Sequence, residues 1–360
     1  MNLSREIRKR LYWNDPSYRI PFILFICILL IVAMVIFCFA LSHHTDDKTD
    51  TILVYCFSGM EDVMEEAILP AFQAYWYENT GKEVKFITTY SGSGSISNRT
   101  FSRFRAQIII LASEMDAHEL ALKRIVNPGV WQALPEAGKL CYSPIILYSK
   151  TKLARSDISL QDLDYENSKI VITNPVLSGA GKWALLALYG SMERENITES
   201  EAYAHMEKIV ERLIISPLTA KETFESFTSS RADFLISYES FGLSDFYGED
   251  QRVVPIYPLR TIAAEPIVVP VSRNIWEGDK ALVGTFIQYL WSWEAQTLLM
   301  DYGFRVHYED FQKNTHQADS QDIFRADSLG TPENLLRKII NPLIQADHEQ
   351  RSTQLFYGKD

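Results

Sequence analysis

Cysteine is scarce in this chain, and its scarcity excludes a fold held together by disulfides. The 360 residues contain four cysteines, of which Cys27 and Cys38 lie inside a long apolar run near the amino terminus. Cys56 and Cys141 can pair in an oxidising compartment, but two cysteines in a domain of this size do not form a disulfide framework. Each of them lies next to a predicted strand, so we expect buried free thiols instead.

The sequence also lacks the motifs of common catalytic and metal centres. Its seven histidines are scattered, with no His-Glu-x-x-His pair and no metal-ligand spacing of cysteines, and no Gly-x-Ser-x-Gly elbow occurs. Residues 179–182 (Gly-Ala-Gly-Lys) resemble the end of a phosphate-binding loop. However, Val176 occupies the required glycine position, and Trp183 replaces the hydroxyl residue that binds magnesium. We therefore predict a binding protein rather than an enzyme, with no metal and no cofactor.

Basic residues are outnumbered, with 35 Lys and Arg against 46 Asp and Glu and a net charge of -11. Nucleic acid requires a basic surface, so this balance argues against DNA or RNA as a partner. It does not exclude a small anion, because a buried site responds to local backbone dipoles more than to surface charge screened over about 8 Å. The hydrophobic content of 47% is typical of a folded globular chain.

Charge is absent from residues 20–42, a run long enough to cross a bilayer as a helix. Because Arg and Lys cluster before this run and acidic residues follow it, the positive-inside rule predicts that residues 1–19 are cytoplasmic. We predict a single-pass anchor in the inner (plasma) membrane over 20–42, a polar linker over 43–51 and an extracytoplasmic, periplasmic domain beyond it. A cleaved signal peptide is the alternative, but the apolar run exceeds the usual signal core of about 7–15 residues.

Predicted strands alternate with predicted helices beyond the linker, which indicates an α/β fold. A strand at 51–55 is followed by a helix over 60–77, in which Pro70 should produce a kink. Later in the chain, apolar residues at helical spacing predict one helix over 280–299, and another is expected around 333–344.

Two apolar strands, at 143–148 and 265–271, flank a middle section with its own alternation of strands and helices. Such an arrangement is expected if the chain crosses twice between two lobes. The predicted divisions are a first lobe over 52–145 with 265–308, a second lobe over 146–264, and a tail over 309–360 packed on the lobes.

The unit over residues 169–189 is the most informative part of the sequence. A short strand of β-branched residues is followed by Ser178, Gly179 and Ala180. A run of residues that strongly favour a helix comes next. The first N–H groups of a helix have no partner within it and carry the positive end of its dipole, so small residues there let an oxyanion approach the backbone. Comparable turns occur at residues 57–59, 91–94 and 219–220.

Residues 174–183 (Asn-Pro-Val-Leu-Ser-Gly-Ala-Gly-Lys-Trp) are similar to Asn-Pro-x-x-Ser-Gly-Gly-Ala-Arg-Trp of the periplasmic sulfate-binding proteins, the receptors of sulfate and thiosulfate ABC importers. Three further stretches resemble that family in the same order: 91–94 (Ser-Gly-Ser-Gly), 232–239 (Ala-Asp-Phe-Leu-Ile-Ser-Tyr-Glu) and 263–266 (Ala-Ala-Glu-Pro). The resemblance covers about residues 52–305. It implies a two-lobed, type II periplasmic-binding-protein-like α/β fold, each lobe a mixed sheet flanked by helices, here preceded by the N-terminal transmembrane helix.

The resemblance also implies which residues bind the ligand. It assigns hydroxyl and backbone donation to Ser93, and backbone donation to Ser178, Gly179, Ala180, Ala220 and Gly59. Tyr238 is the clearest departure, because the family has a tryptophan there whose indole N–H donates to the ligand. A phenol donates too, but it also accepts. A further departure is Ala180 in place of a family glycine, whereas Lys182 keeps the positive charge of the family's arginine.

Together these features predict a membrane-anchored receptor that closes around a sulfate or thiosulfate ion and passes it to an ABC permease and its ATPase. Two alternatives remain open. One is a binding protein of the same fold for another oxyanion, such as phosphate or molybdate. The other is a sensor ectodomain of this fold without a role in transport.

Overall fold

The computed structural model describes residues 24–35, 50–98, 105–150, 160, 163, 169–193, 197–243, 253–307 and 322–345. The chain divides into two compact units, Met1–Thr49 and Asp50–Asp360. In the first unit, residues 24–35 form a helix whose large apolar side chains are exposed. Within the described residues, no helix has both the length and the apolar composition needed to cross a bilayer. The remainder of the predicted 20–42 anchor lies outside the described residues.

The second unit alternates strands and helices. Its strands are β1 (Asp50–Phe57), β2 (Val84–Ser91), β3 (Ile108–Leu111), β4 (Ser143–Ser149), β5 (Ile170–Thr173), β6 (Leu213–Ser216), β7 (Phe234–Tyr238), β8 (Val254–Ile256), β9 (Arg260–Ala264), β10 (Ile267–Pro270) and β11 (Asp322–Phe324). Its α-helices are α1 (Glu61–Val63), α2 (Leu69–Thr80), α3 (Ser93–Asn98), α4 (Glu114–Leu122), α5 (Pro128–Gln132), α6 (Gly179–Glu193), α7 (Glu199–Val210), α8 (Ala220–Phe227), α9 (Ser240–Leu243), α10 (Lys280–Tyr289), α11 (Trp293–Asp301) and α12 (Pro332–Leu335).

Two mixed sheets organise these elements. The first sheet has the order β10-β3-β1-β2, with β1 parallel to both β2 and β3 and with β10 antiparallel to β3. The second sheet has the order β11-β9-β4-β7-β5-β6, and β8 pairs with β4. The inner strands β3 and β5 and the edge strand β10 are short runs of mainly Ile, Val and Leu that are buried along their whole length, as expected for strands covered on both faces.

The chain passes from the first sheet to the second between β3 and β4, and it returns through Glu265 and Pro266, which join β9 to β10. Glu265 is buried and lies 2.9 Å from the Nζ of Lys139 and 2.9 Å from a guanidinium nitrogen of Arg325. Burial raises the pKa of Glu265, and the charges of these two partners partly offset the shift. The return crossing is therefore fixed by ion pairs.

Two helix predictions need correction or refinement. The predicted single helix over 280–299 is wrong, because it is two helices, α10 and α11, separated at residues 290–292; the Ser292 hydroxyl accepts the Ala295 N–H and starts the second helix. The predicted kink at Pro70 takes the form of a π turn over Met64–Ile68, directly before the helix that contains this proline. The prediction that Cys56 and Cys141 are buried free thiols is confirmed.

The segment 322–345 contacts elements of both sheets. Strand β11 pairs in parallel with β9 of the second sheet, and α12 packs against α4, which follows β3 of the first sheet. The π turn Leu336–Ile340 then packs against α6. Leu335, Ile339 and Ile340 are buried in these contacts, so the helix predicted around 333–344 is present and begins at Pro332.

Candidate functional site

Helix α6 begins after a tight turn in which some of the backbone N–H groups are already hydrogen-bonded within the turn itself. The side chain of Asn174 accepts the Val176 N–H at 2.8 Å, and its backbone carbonyl accepts the Ser178 N–H at 2.8 Å. In this structure the Ser178 N–H is already used within the turn, and its expected donation to a ligand stays a prediction. Gly179 and Ala180 remain in the first turn of α6, where a helix supplies no acceptor for its N–H groups.

The turn that precedes α3 lies directly against the turn that precedes α6. A Cβ on Gly92 would overlap the carbonyl oxygen of Leu177, and a Cβ on Gly94 would overlap that of Val176. The Ser95 N–H donates to the Leu177 carbonyl at 3.0 Å. Glycine at these two positions therefore allows the backbones of two turns, one from each sheet, to touch.

Ser93 is buried at this junction, and its hydroxyl is engaged. It donates to Oδ2 of Asp116 at 2.6 Å and accepts the Ala112 N–H at 3.0 Å. In this structure the single hydroxyl hydrogen of Ser93 is directed to Asp116. Donation to a ligand from the hydroxyl and from the backbone N–H of Ser93 stays a prediction.

Asp116 is a site residue that sequence reasoning missed. Its side chain is fully buried and also accepts the Ser113 hydroxyl at 2.8 Å. Ser113 is the N-cap of α4, and a Cβ on Gly179 would lie 3.5 Å from Oδ2 of Asp116. The Ser-x-x-Asp pattern of a capping box over residues 113–116 was the available signal.

Lys182, in the first turn of α6, compensates the charge of Asp116. Its Nζ lies 2.6 Å from Oδ1 of Asp116 and 3.4 Å from Oε1 of Glu119, and its side chain is 3% exposed. Burial alone would lower the pKa of Lys182, but these two carboxylates outweigh it and raise the pKa. The carboxylate beside the start of α6 is thus part of a neutral buried pair.

Gly59, Ala220 and Tyr238 lie together on another side of the same region. Ring atom Cε2 of Tyr238 is 3.6 Å from the place that a Cβ on Gly59 would occupy. Ala220 opens α8, which packs against the short 3-10 turn Ser58–Met60 that contains Gly59. Thr219 caps α8 through a reciprocal capping box with Glu222. The capping box does not use the N–H of Ala220, which lies in the first turn of the helix.

The hydroxyl of Tyr238 is the most informative polar group of the site. It is buried and has no hydrogen-bond partner among the described residues. Burial raises the pKa of Tyr238 well above its usual value, and the nearby charge of Asp116 raises it further, so the phenol stays protonated. A buried hydroxyl without a partner costs about 1–3 kcal/mol, which makes Tyr238 the strongest single indication of a missing polar partner.

The structure places the predicted residues in two groups. A Cβ on Gly179 would lie 3.5 Å from Cβ of Ser93, whereas Tyr238 lies beside Gly59 in the turn that packs against α8. Glu239, in contrast, is turned away into a buried bidentate pair with Arg305, at 2.7 and 2.6 Å. Among the described residues, no cluster of His, Cys, Asp and Glu could hold a metal ion.

Comparison with known proteins defines the class of protein that this fold and site represent. The sequence model of the family "Bacterial extracellular solute-binding protein" matches residues 52–305, and the chain belongs to that family. It is a class of binding proteins and not a class of enzymes.

Within that class, the resemblance to the sulfate- and thiosulfate-binding proteins is confirmed. The chain is 29% identical to the sulfate-binding protein of Synechococcus elongatus over 240 residues, which are 67% of this chain and 69% of the relative. It is 23% identical to the thiosulfate-binding protein of Pseudomonas aeruginosa over 234 residues, which are 64% of this chain and 70% of the relative.

Solved structures support the same fold. The sulfate-binding protein SubI of Mycobacterium tuberculosis superposes with a TM-score of 0.70 at 21% identity, covering 81% of this chain and 99% of that one. A periplasmic thiamin-binding protein superposes with a TM-score of 0.61 at 13% identity, covering 83% of this chain and 95% of that one. The fold is therefore an α/β periplasmic-binding-protein-like fold with mixed sheets, as predicted.

Proposed function

We propose that this protein binds a tetrahedral oxyanion, sulfate or thiosulfate, between its two sheets. The observation that carries the proposal is the buried hydroxyl of Tyr238, which is unpartnered among the described residues. Beside it, Gly59 lies in a turn that packs against α8, and the start of α3 lies against the start of α6. The names of the sulfate- and thiosulfate-binding relatives support this choice of ligand.

The proposed site binds a dianion through neutral donors. The first-turn N–H groups of Gly179, Ala180 and Ala220 point from helix starts whose dipoles favour negative charge. Gly59 and Ser93 add backbone donors, and Tyr238 adds a hydroxyl. Ser178 stays in the proposal through its hydroxyl. Because Lys182 neutralises Asp116, the carboxylate does not repel the ligand with a full charge.

We further propose that the two sheets are the cores of two lobes that close on the ligand by a hinge at the two chain crossings. Delivery to an ABC permease and its ATPase, and a periplasmic location with the chain anchored through residues 20–42, belong to the same proposal. The exposed apolar side chains of the helix over 24–35 support the anchor. Detergent-free fractionation of cells tests it, since a protein recovered in the soluble fraction would contradict anchoring.

Calorimetry with sulfate, thiosulfate, phosphate and molybdate tests the ligand. We expect heat with sulfate or thiosulfate, and heat with phosphate alone would reject the proposal. Gly179→Val provides the site test, because a Cβ at Gly179 would overlap the Cβ of Ala112 across the two sheets. This variant should lose binding, and a variant that binds sulfate as tightly as the unaltered protein would remove Gly179 from the site.

A second candidate is a hydrogenphosphate-binding protein, and one observation favours it. The Tyr238 hydroxyl can accept a hydrogen bond from the P–OH group of the ligand, whereas the indole N–H of a tryptophan is a donor only. The same calorimetric series separates the two candidates. Under the second one, Tyr238→Trp should abolish the heat with phosphate and strengthen that with sulfate.

A further inference from the structure

We infer that the buried pair Lys182–Asp116 is a closure latch, which forms as the two halves meet and sets how long the ligand stays bound. The inference rests on the proposed function for its kinetic readout. Its structural basis is that the two residues belong to different sheets: Asp116 lies on α4, which packs on β3 and β10 of the first sheet, and Lys182 lies on α6, which packs on β5 and β7 of the second.

The latch is surrounded by other contacts that join the same two halves. The indole N–H of Trp183 donates to the Ala112 carbonyl at 2.7 Å, directly beside Lys182 in sequence. The Ser95 N–H donates to the Leu177 carbonyl at 3.0 Å. All of these bonds must break when α4 and α6 separate. Breaking the pair Lys182–Asp116 should destabilise the closed form more than breaking the other contacts, because its side chains are only 3% and 0% exposed.

Burial explains why this pair acts as a latch and an exposed pair does not. When the halves are apart, water solvates both charges, and each loses that water on closure. The closed form is then favourable only if both charges are present and meet at short distance. A second pair across the same halves, Lys221 with Asp62 at 2.5 Å, has side chains that are 21% and 34% exposed, so water screens it in either state.

The pair also connects to the proposed ligand site without touching the ligand itself. Asp116 accepts the Ser93 hydroxyl at 2.6 Å, so forming the latch fixes the turn from which the Ser93 N–H donates. Lys182 lies in the first turn of α6, whose start carries Gly179 and Ala180. Lys182 and Asp116 are therefore positioning residues, and their removal should change ligand release more than ligand capture.

The experiment measures sulfate association and dissociation rates by stopped flow for the unaltered protein, Lys182→Met, the double variant Lys182→Met/Asp116→Asn and the control Asp62→Asn. Lys182→Met should raise koff at least about 100-fold while kon changes by less than about threefold, since it leaves one buried charge uncompensated in the closed form only. The double variant should recover part of that loss. Asp62→Asn should change koff by less than about fivefold.

An increase in koff for Lys182→Met no larger than that for Asp62→Asn would overturn the latch. Should Lys182→Met fail to fold, Asp116→Asn tests the same pair, because the amide keeps the volume and can still accept from the Ser113 hydroxyl that caps α4. Should the unaltered protein bind no oxyanion, the proposed function fails. Small-angle scattering of the ligand-free proteins then tests the latch. Lys182→Met should have a larger radius of gyration than the unaltered protein, and an equal radius would contradict the latch.

Discussion

Tyr238→Phe should raise the stability of the ligand-free protein and lower its affinity for the ligand. Because the two effects have opposite signs, this variant is a sensitive test of the site. The change removes a buried hydroxyl that lacks a partner among the described residues, so no protein hydrogen bond is lost with it. An unpartnered buried polar group costs about 1–3 kcal/mol. The ligand-free melting temperature should therefore not fall, and should rise by as much as about 2 °C per kcal/mol in a domain of this size.

In the complex, the same hydroxyl would donate to a charged ligand. Such a bond contributes about 1.5–3 kcal/mol, so the affinity for sulfate should fall about 10- to 100-fold. Scanning calorimetry gives the melting temperature, and titration calorimetry gives the affinity. Tyr148→Phe is the matched control, because its hydroxyl donates to the Tyr238 carbonyl at 2.7 Å and accepts the Gly242 N–H at 3.0 Å. That control should melt lower than the unaltered protein. A Tyr238→Phe protein that melts as low as the control, or binds sulfate unchanged, would refute the reasoning.

Three further predictions concern positioning, closure and pH. Ser93→Ala should weaken oxyanion binding by about 1–2 kcal/mol in titration calorimetry, because the turn loses its bond to Asp116; unchanged affinity would remove the Ser93 hydroxyl from the account. Gly92→Ala should lower affinity more than about tenfold, since its Cβ would overlap the Leu177 carbonyl and hold the two turns apart; unchanged affinity would show that this contact is not needed for binding. Burial lowers the pKa of His307, so the unfolded chain binds a proton more readily and stability should decline as the pH falls below about 6.5; in His307→Gln the melting temperature should decline less between pH 7 and pH 5, and an identical decline would exclude His307 as the cause.

The sequence predicted the elements of the fold well because they depend on short-range patterns. The strand over 169–173, the helix that starts at Gly179 and the capped start at Ala220 follow from β-branched runs, small turn residues and N-caps. The break at Ser292 shows the limit of such patterns. Apolar spacing continues across it, and only the serine hydroxyl that accepts the Ala295 N–H ends one helix and begins the next.

The atomic contacts of the candidate site were less predictable than its turns. The glycine and serine turns follow from the local sequence, but the partners of individual atoms depend on contacts between residues far apart in sequence. The hydroxyl of Ser93 is directed to Asp116, which lies 23 positions away, and Lys182 reaches the same carboxylate from 66 positions away. Neither separation in sequence has a periodic signature, so the pairing of Asp116 with Ser93 and Lys182 could be recognised only in three dimensions, although the Ser-x-x-Asp pattern marks Asp116 itself.

The fold depends on contacts made by the segment 322–345. It lies beyond residues 52–305, where the family similarity is found, yet it adds β11 to the second sheet and places α12 on α4. A chain cut after residue 305 would lose Ile340 and its neighbours, uncover the surfaces of α4 and α6 on which this segment packs, and leave β9 as a bare sheet edge. Proteolytic trimming there should therefore yield self-associating material rather than a stable shorter domain, and recombinant versions meant for ligand measurements need this stretch retained.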